Sequence, residues 1–225
     1  LRRQRQMCIR DRLYLSYSES FLPRSGEQFK SLSATSARLD PDVFESTEVG
    51  MKVALPNNMS LTAAYFDSEQ VRAERDNDTG ETSEVRGLTV DGFEIELKGR
   101  VNDGLNLAIA YSDLSGETSS GGIPREIPEH TLSAFAAWEV NEKLSVALGL
   151  TQQGESKIKD NTPGLVLPEY TRVDLSAYYQ VAPNLSVQMN VENLMDELYF
   201  PHSHSTHQAS VGESVNSRVS LRWTY

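Results

Sequence analysis

Three histidines stand close together near the end of the chain, in the run "PHSHSTH" at residues 201–207. His202, His204 and His207 are two and three positions apart, near enough for their imidazoles to converge on one metal ion. No carboxylate or cysteine lies between them, and the Pro, Ser and Thr residues around them are typical of a flexible loop. The run can be a metal site, a contact for an incoming ligand, or a solvated loop. The lack of further ligand-type residues within it favours an exposed loop over a preformed metal site.

A second segment, "DNDTGE" at residues 76–81, begins like a calcium-binding loop, with Asp76 and Asp78 in the first and third positions. A loop of the EF-hand type needs Gly at position six and Glu at position twelve. The sequence has Glu81 and Gly87 there, so an acidic exposed loop is predicted. The sequence also has no nucleophile elbow, no Gly-rich phosphate loop and no paired carboxylates near a histidine in its polar stretches. An enzyme and a resident cofactor are therefore not expected.

The composition limits the possible classes of protein. The chain has 225 residues, a formal net charge of −11 at pH 7 and a mean hydropathy of −0.45, and the charge argues against nucleic acid as a partner. The longest apolar run, "AFAAW" at residues 134–138, is far shorter than the roughly 18 residues of a membrane helix. A transmembrane β-barrel remains possible, because its strands only alternate in polarity. Cys8 is the one cysteine, so no disulfide framework is predicted.

Residues 1–12, "LRRQRQMCIRDR", differ from everything that follows. They contain five Arg and one Asp, lack the apolar core of a signal peptide and show no strand alternation. An Arg-rich arm that binds an acidic surface is one interpretation. We favour a non-native run-in sequence, because the segment resembles translated adapter DNA, and we expect the native domain to span residues 13–225.

From Leu13 onward, apolar and polar residues alternate with a period of two, which is typical of β-strands. In the last segment, for example, Val219, Leu221, Trp223 and Tyr225 share one face. The alternation predicts ten strands and no helix, with the strands at residues 13–18, 46–55, 59–70, 92–101, 105–113, 131–140, 144–152, 170–181, 185–193 and 218–225.

Short and long connections alternate between these strands without exception. The short connections consist of turn-forming residues and lie at residues 56–58, 102–104, 141–143 and 182–184. The long connections are polar and lie at residues 19–45, 73–84, 116–129, 155–169 and 197–213. This arrangement places every long loop at one end of the sheet. An outer-membrane barrel has that asymmetry, with tight periplasmic turns and long extracellular loops.

Aromatic residues on the apolar faces support a wall that crosses a membrane. Trp138, Tyr179 and Trp223 lie near the short-turn end, whereas Tyr65 and Tyr111 lie towards the long-loop end. Two belts around an aliphatic band fit a bilayer, because these rings favour the membrane interface. A soluble antiparallel barrel or sandwich would show the same alternation, but it has no reason to gather its long loops at one end. The predicted fold is an all-β, antiparallel transmembrane β-barrel.

The run "NVENLMDELYF" resembles the N-x-x-N-L-x-D-x-x-Y motif near the end of TonB-dependent outer-membrane receptors. Here the motif is carried by Asn190, Asn193, Leu194, Asp196 and Tyr199. Upstream, "SYSESFLPRSGEQF", "LDPDVFESTEVGMK", "VDGFEIELKGRV", "IPEHTLSAFAAWEV" and "LPEYTRVDLSAYYQV" look like successive strands of the siderophore-receptor branch. The resemblance covers residues 13–225 in order.

Members of that family are 22-stranded barrels filled by an N-terminal plug domain, with a TonB-binding segment, the TonB box, ahead of the plug. The resemblance therefore implies the last ten strands of such a barrel, without the plug, in the outer membrane of a Gram-negative bacterium. It implies transport of a ferric siderophore, in which iron enters only as cargo and no other cofactor is needed. The implied partners are the siderophore, TonB, outer-membrane lipid and the barrel assembly machinery.

The resemblance also implies roles for individual residues. Ligand contacts are expected in the last extracellular loop, at Tyr199, His202 and His204, and the pair Trp223 and Tyr225 resembles the C-terminal assembly signal of outer-membrane barrels. A hydrated lumen is expected to be lined by Glu94, Glu96, Lys98, Arg100, Arg172, Asp174, Arg218 and Arg222.

Two rival hypotheses share the barrel wall. One is a passive outer-membrane pore, and the other is a complete ten-stranded barrel with enzymatic loops. The second requires residues 13–18 to pair with residues 215–225, because only that contact closes a ten-stranded barrel. Free edges at these two strands would instead favour a fragment of a larger barrel.

Overall fold

The computed structural model describes residues 11–22, 41–75, 82–159 and 164–225. Most of these residues belong to β-strands, and one turn of 3-10 helix occurs at Pro56–Asn58. No helix within these ranges combines the length and the apolar character needed to span a membrane. The calcium-like segment at residues 76–81 and most of the arginine-rich N-terminus lie outside the described residues.

Ten strands form one antiparallel sheet, as predicted. The strands in chain order are β1 (Asp11–Leu22), β2 (Asp42–Ala54), β3 (Ser60–Arg75), β4 (Thr82–Asn102), β5 (Leu105–Thr118), β6 (His130–Glu139), β7 (Leu144–Gln153), β8 (Ser156–Lys157), β9 (Val166–Leu167), β10 (Tyr170–Ala182), β11 (Leu185–Glu192), β12 (His202–Ser205), β13 (Gln208–Ser210) and β14 (Asn216–Trp223). The main sheet has the order β1-β2-β3-β4-β5-β6-β7-β10-β11-β14, whereas β8 pairs only with β9 and β12 only with β13.

β1 and β14 are the two edges of the main sheet. β1 pairs with β2 and β14 with β11, and the two edge strands do not pair with each other in the part of the chain that is described. The enzyme hypothesis required that pairing, so the closed ten-stranded barrel is not what these residues form.

The strand register separates apolar from polar side chains, because successive residues of a strand point to opposite faces. In β11, Met189 lies opposite Val219 of β14, whereas the next residue, Asn190, lies opposite Arg218. The same alternation continues across the sheet and gives it an apolar outer face and a polar inner face. Leu221 on the outer face keeps 73% of its surface exposed. A continuous exposed apolar face requires an apolar environment or a partner that covers it.

The two predicted aromatic belts lie on this outer face. Trp138 in β6 is half exposed and lies opposite Leu105 in β5. Tyr111 lies six residues beyond Leu105 along β5. At about 3.4 Å per residue these positions are roughly 20 Å apart along the strand, comparable to the roughly 25 Å apolar band of outer-membrane barrels. Tyr179 in β10 and Trp223 in β14 are also exposed at the short-turn end of the sheet.

Asparagine side chains close the short turns. Oδ1 of Asn102 accepts hydrogen bonds from the N–H groups of Gly104 and Leu105, both at 3.0 Å. Asn141 closes the next turn in the same way, at 2.9 and 3.0 Å. At the 3-10 turn, Asn57 has a φ of 58°, a left-handed conformation that asparagine tolerates better than most residues.

Several strands extend beyond the predicted bounds. β1 runs to Leu22 and begins at Asp11, and β4 begins at Thr82 instead of residue 92. Polar sequence continues these hairpins because the backbone hydrogen bonds between antiparallel strands do not depend on apolar side chains. Two predicted long loops also contain regular structure: β8 and β9 lie within residues 155–169, and β12 and β13 form a hairpin within residues 197–213. We call β12–β13 the histidine hairpin.

Candidate functional site at the loop end of the wall

Asn193 stands where β11 ends and the chain turns back over the polar face of the sheet. Its side chain is only 1% exposed. Nδ2 donates hydrogen bonds to the carbonyl oxygens of Glu197 and Glu213, and Oδ1 accepts one from the N–H of Glu197, all at 2.9 Å. The N–H of Asn193 itself donates to Oδ1 of Asp174 in β10 at 2.9 Å. One residue thus connects β10, β11 and the segment that leads into β14.

Asp196 repeats this connection three residues later. Its N–H donates to the carbonyl oxygen of Asn193 at 2.9 Å and closes a turn. Its Oδ1 accepts a hydrogen bond from the N–H of Val215 at 2.9 Å, immediately before β14. Asp196 and Asn193 both have positive φ angles, 52° and 51°. These side chains hold the turn in a conformation that few residue types adopt readily.

The remaining motif residues Leu194 and Asn190 form fewer contacts that hold the turn. Leu194 donates its N–H to the carbonyl oxygen of Val173 at 2.7 Å, while its side chain remains 41% exposed. Asn190 lies within β11 and accepts a hydrogen bond from the hydroxyl of Ser176 at 2.7 Å. The motif therefore forms one local assembly, in which Asn193 is the centre.

Tyr199 packs inward beneath this turn. It is 7% exposed and lies against Tyr170, with ring centroids 4.7 Å apart. Nη1 of Arg172 donates to its hydroxyl at 3.2 Å, and the same guanidinium binds Oδ2 of Asp174 at 2.8 and 3.2 Å. Two residues predicted to line the lumen therefore support the motif. Ligand contact by Tyr199 stays a prediction, and its burial here favours a packing role.

The structure places the histidines on the exposed histidine hairpin. His202 is exposed and its Nε2 lies 2.9 Å from Oγ of Ser210, in the opposite strand. His207 is exposed in the turn between the two strands. The side chain of His204 lies outside the described residues. Among the side chains that are described, no group of three His, Cys, Asp or Glu residues is arranged to hold a metal ion.

The loop between β5 and β6 contacts the histidine hairpin. Oε1 of Glu126 accepts two hydrogen bonds from Ser203, one from its N–H at 2.7 Å and one from its hydroxyl at 3.1 Å. The backbone hydrogen bond from Ser203 is the main reason why the pKa of Glu126 lies below its ordinary value of 4.5, and the nearby charges of Arg125 and His202 act in the same direction. The N–H of Glu126 donates to the carbonyl oxygen of Lys157 in β8 at 2.8 Å. Three long loops thus form one connected layer.

The polar inner face carries an acidic cleft along strands β1 to β6. Tyr14, Glu48, Glu94 and Glu96 are among the residues that line a space of about 340 Å³. The hydroxyl of Tyr14 donates to Glu48, and Lys98 forms an ion pair with Glu96 at 2.6 Å. The register confirms that the lumen residues predicted from alternation share this face.

Several residues of the site were not singled out from the sequence. Glu126 and Gly212 lie in polar loops, where neither periodicity nor a motif distinguishes them. Gly212 donates its N–H to the carbonyl oxygen of Tyr199 at 2.8 Å. Tyr170 was recognised only as a strand residue, although it is 8% exposed and packs against the motif tyrosine. These contacts join segments that are distant in the chain, so no local sequence pattern predicts them.

Comparison with known proteins identifies the family. The family model described as "TonB dependent receptor-like, beta-barrel" matches residues 10–194. The probable TonB-dependent siderophore receptor PiuA of Acinetobacter baumannii is 26% identical over 95% of the chain and 32% of its own length. The ferripyoverdine receptor of Pseudomonas aeruginosa is 27% identical over 95% of the chain and 28% of its own length. The chain thus spans about a third of the length of these relatives.

Solved structures agree with the sequence comparison. The crystal structure of PiuA superposes with a TM-score of 0.81 at 24% identity, over 96% of this chain and 34% of that one. The ferripyoverdine receptor bound to ferripyoverdine superposes with a TM-score of 0.77 at 26% identity, over 95% of this chain and 31% of that one. The family consists of receptors and transporters and not of enzymes. The chain therefore belongs to the TonB-dependent receptors, and its ten wall strands are part of an outer-membrane β-barrel of a Gram-negative bacterium.

Proposed function

We propose that the chain is the C-terminal part of the barrel of an outer-membrane receptor that takes up ferric siderophores with energy supplied through TonB. The observation that carries this proposal is the match to the ferripyoverdine receptor, at 26% identity and a TM-score of 0.77 over 95% of the chain. In this proposal iron enters only as part of the cargo, and no residue of the wall performs covalent chemistry.

The two edges of the sheet support a larger barrel. An unpaired strand edge exposes N–H and C=O groups that hydrocarbon does not solvate. β1 and β14 each need a further partner strand before the wall can stand in a membrane. We propose that upstream strands pair with both edges, and that a plug domain occupies the polar inner face.

The proposed boundary between run-in and native sequence needs one refinement. β1 begins at Asp11, and Arg12 pairs with Lys52 of β2. The match to the family model begins at residue 10. Both observations support a native origin for Asp11 and Arg12, and the match also includes residue 10, so the proposed run-in is limited to residues 1–9.

We propose that cargo contacts come from the exposed loops at the end of the wall. His202 is exposed on the histidine hairpin, and His204 belongs to the same strand, β12. Binding residues concentrate on loops that a rigid scaffold holds in place. Tyr199 packs against Tyr170 and supports the segment that leads into the hairpin.

We also propose two partners for the outer face and the chain end. The apolar outer face contacts outer-membrane lipid. Trp223, the last residue of β14, and Tyr225 are strongly exposed, which leaves both rings accessible to the barrel assembly machinery.

Recovering the reading frame upstream of Asp11 is the first test of this proposal. We expect a signal peptide, a TonB box, a plug domain and about twelve further strands, which complete a barrel of about 22 strands. A signal peptide placed directly before Asp11 would contradict the proposal.

Transport by the intact receptor is the second test. We expect a strain that carries it as its only siderophore receptor to accumulate radioactive iron from ferripyoverdine or from a ferric catecholate. Accumulation should fall to background when tonB is deleted or the proton gradient is collapsed. Iron uptake that persists without TonB would instead indicate a passive pore.

A further inference from the structure

Glu126 connects two loops that are far apart in the chain. Its Oε1 accepts both the N–H and the hydroxyl of Ser203, which lies 77 residues later, at 2.7 and 3.1 Å. A carboxylate that accepts two hydrogen bonds from one residue fixes its position more tightly than a single contact does. We call this pair of hydrogen bonds the Glu126–Ser203 latch.

The backbone of Glu126 is itself held in place. Its φ is 58°, a left-handed conformation that is uncommon for a residue with a side chain. Its N–H donates to the carbonyl oxygen of Lys157 in β8. The backbone of the neighbouring Arg125 forms an isolated parallel β-bridge with the same residue. The side chain of Lys157 is bound by Glu155 at 2.9 Å. The carboxylate is therefore presented from a supported position.

The histidine hairpin has little stability of its own. β12 has four residues and β13 three, and the register between them shifts after Ser203. A two-stranded hairpin without further packing is marginally stable in water. Ser203 directly follows His202, whose ring contacts Ser210 across the hairpin. Whatever holds Ser203 therefore also holds His202.

We propose that Glu126 is a positioning residue, which holds the histidine hairpin against the loop between β5 and β6 so that both loops present a single surface to the cargo. The positioning follows from the contacts alone, whereas the cargo rests on the function proposed above. In this proposal Glu126 acts on binding through its hydrogen bonds to Ser203 and the hairpin that they hold.

Amide hydrogen exchange in the intact receptor tests the positioning directly. Glu126→Ala removes both hydrogen bonds, and we expect the amides of residues 202–210 to exchange about fivefold faster. Ser203→Ala keeps the backbone hydrogen bond and should have a smaller effect. Glu129→Ala is the matched control, because the carboxylate of Glu129 makes no hydrogen bond to any residue that the structure describes. Unchanged exchange in Glu126→Ala would overturn the proposal.

The pH profile separates the latch from a general loosening of the loop. The lowered pKa of Glu126 means that its stabilising effect is complete above about pH 4.5 and is lost as the pH falls through the folded value. Glu126→Gln keeps an acceptor oxygen without the charge. We therefore expect wild type to protect the hairpin better than Glu126→Gln at neutral pH, and the difference to vanish once the pH falls below the lowered pKa of Glu126. The charges that face this carboxylate are those of Arg125 and His202. A difference that is independent of pH would count against the latch.

Binding of ferripyoverdine or a ferric catecholate by the intact receptor provides the remaining test. We expect Glu126→Ala to weaken binding about fivefold, Glu126→Gln to restore most of it, and Glu129→Ala to leave it unchanged. Equal binding by wild type and Glu126→Ala would contradict the single surface. If neither probe binds to wild type while the exchange results hold, the positioning stands and the proposed cargo is wrong.

Discussion

Replacing Asn193 with alanine is expected to lower the free energy of unfolding by about 3 kcal/mol. The change removes three hydrogen bonds of a side chain that is 1% exposed, and it leaves two carbonyl oxygens without their donor. Alanine must also adopt the φ of 51°, which adds about 1 kcal/mol or more within that total. The measurement is urea unfolding of the intact receptor in lipid vesicles.

Two related variants identify the physical origin of this loss. Asn193→Gly removes the same hydrogen bonds but relieves the backbone, so it should be less harmful than alanine. Asn193→Asp keeps an acceptor and places an oxygen opposite the carbonyls of Glu197 and Glu213, so it should be at least as harmful as alanine. Asn106→Ala is the control, since Asn106 is exposed and forms no side-chain hydrogen bond with the described residues. A loss below about 0.5 kcal/mol for Asn193→Ala, the usual range of surface substitutions, would contradict a structural role for the motif.

Replacing Gly212 with alanine is expected to destabilise the barrel by about 2–3 kcal/mol through steric overlap. A Cβ at this position would lie 2.5 Å from Cε2 of Tyr199 and closer still to Cζ and Cε1. The ring cannot simply move aside, because it packs against Tyr170 and its hydroxyl is bound by Arg172. We expect a lower urea midpoint and a reduced yield of folded receptor in the outer membrane.

Gly149→Ala is the matched control for this overlap. A Cβ on Gly149 would approach Asp174 no closer than 3.7 Å, which is ordinary van der Waals contact. A second variant tests the mechanism: Tyr199→Leu removes the ring, so the double variant with Gly212→Ala should lose less stability than the two single losses added together. Strict additivity would show that Gly212 acts by another route.

Both predictions give the family motif a structural role, which is to stabilise the chain at the loop end of the wall. Asn193 and Asp196 fix the turn after β11, and Tyr199 anchors the chain against β10 before it reaches the histidine hairpin. The hairpin itself is exposed, so the residues that support it and those that face outward are different. Loss of stability and loss of cargo binding can therefore be separated by mutation.

Much of the fold was predictable from the sequence. Alternation of period two, as in Leu221 and Trp223 against Ser220 and Arg222, is a local property that each strand carries by itself. The turn asparagines at residues 102 and 141 act on backbone groups two and three positions away, which is again local. For these reasons the number of strands in the main sheet, the two faces and the short turns agreed with the structure. The family motif was recognised because its residues are close together in the chain.

The tertiary structure alone decided the strand lengths and the contacts of the site. Polar residues from Thr82 onward extend β4 because backbone pairing continues wherever a partner strand is in register. Glu126 meets Ser203 across 77 residues, and Gly212 approaches Tyr199 from the segment before β14. Such contacts depend on which loops the sheet order brings together. The sequence determined the strands of the wall, because each strand carries its own alternation of apolar and polar residues. The role of each loop residue depends on neighbours from other parts of the chain, which only the folded sheet brings together.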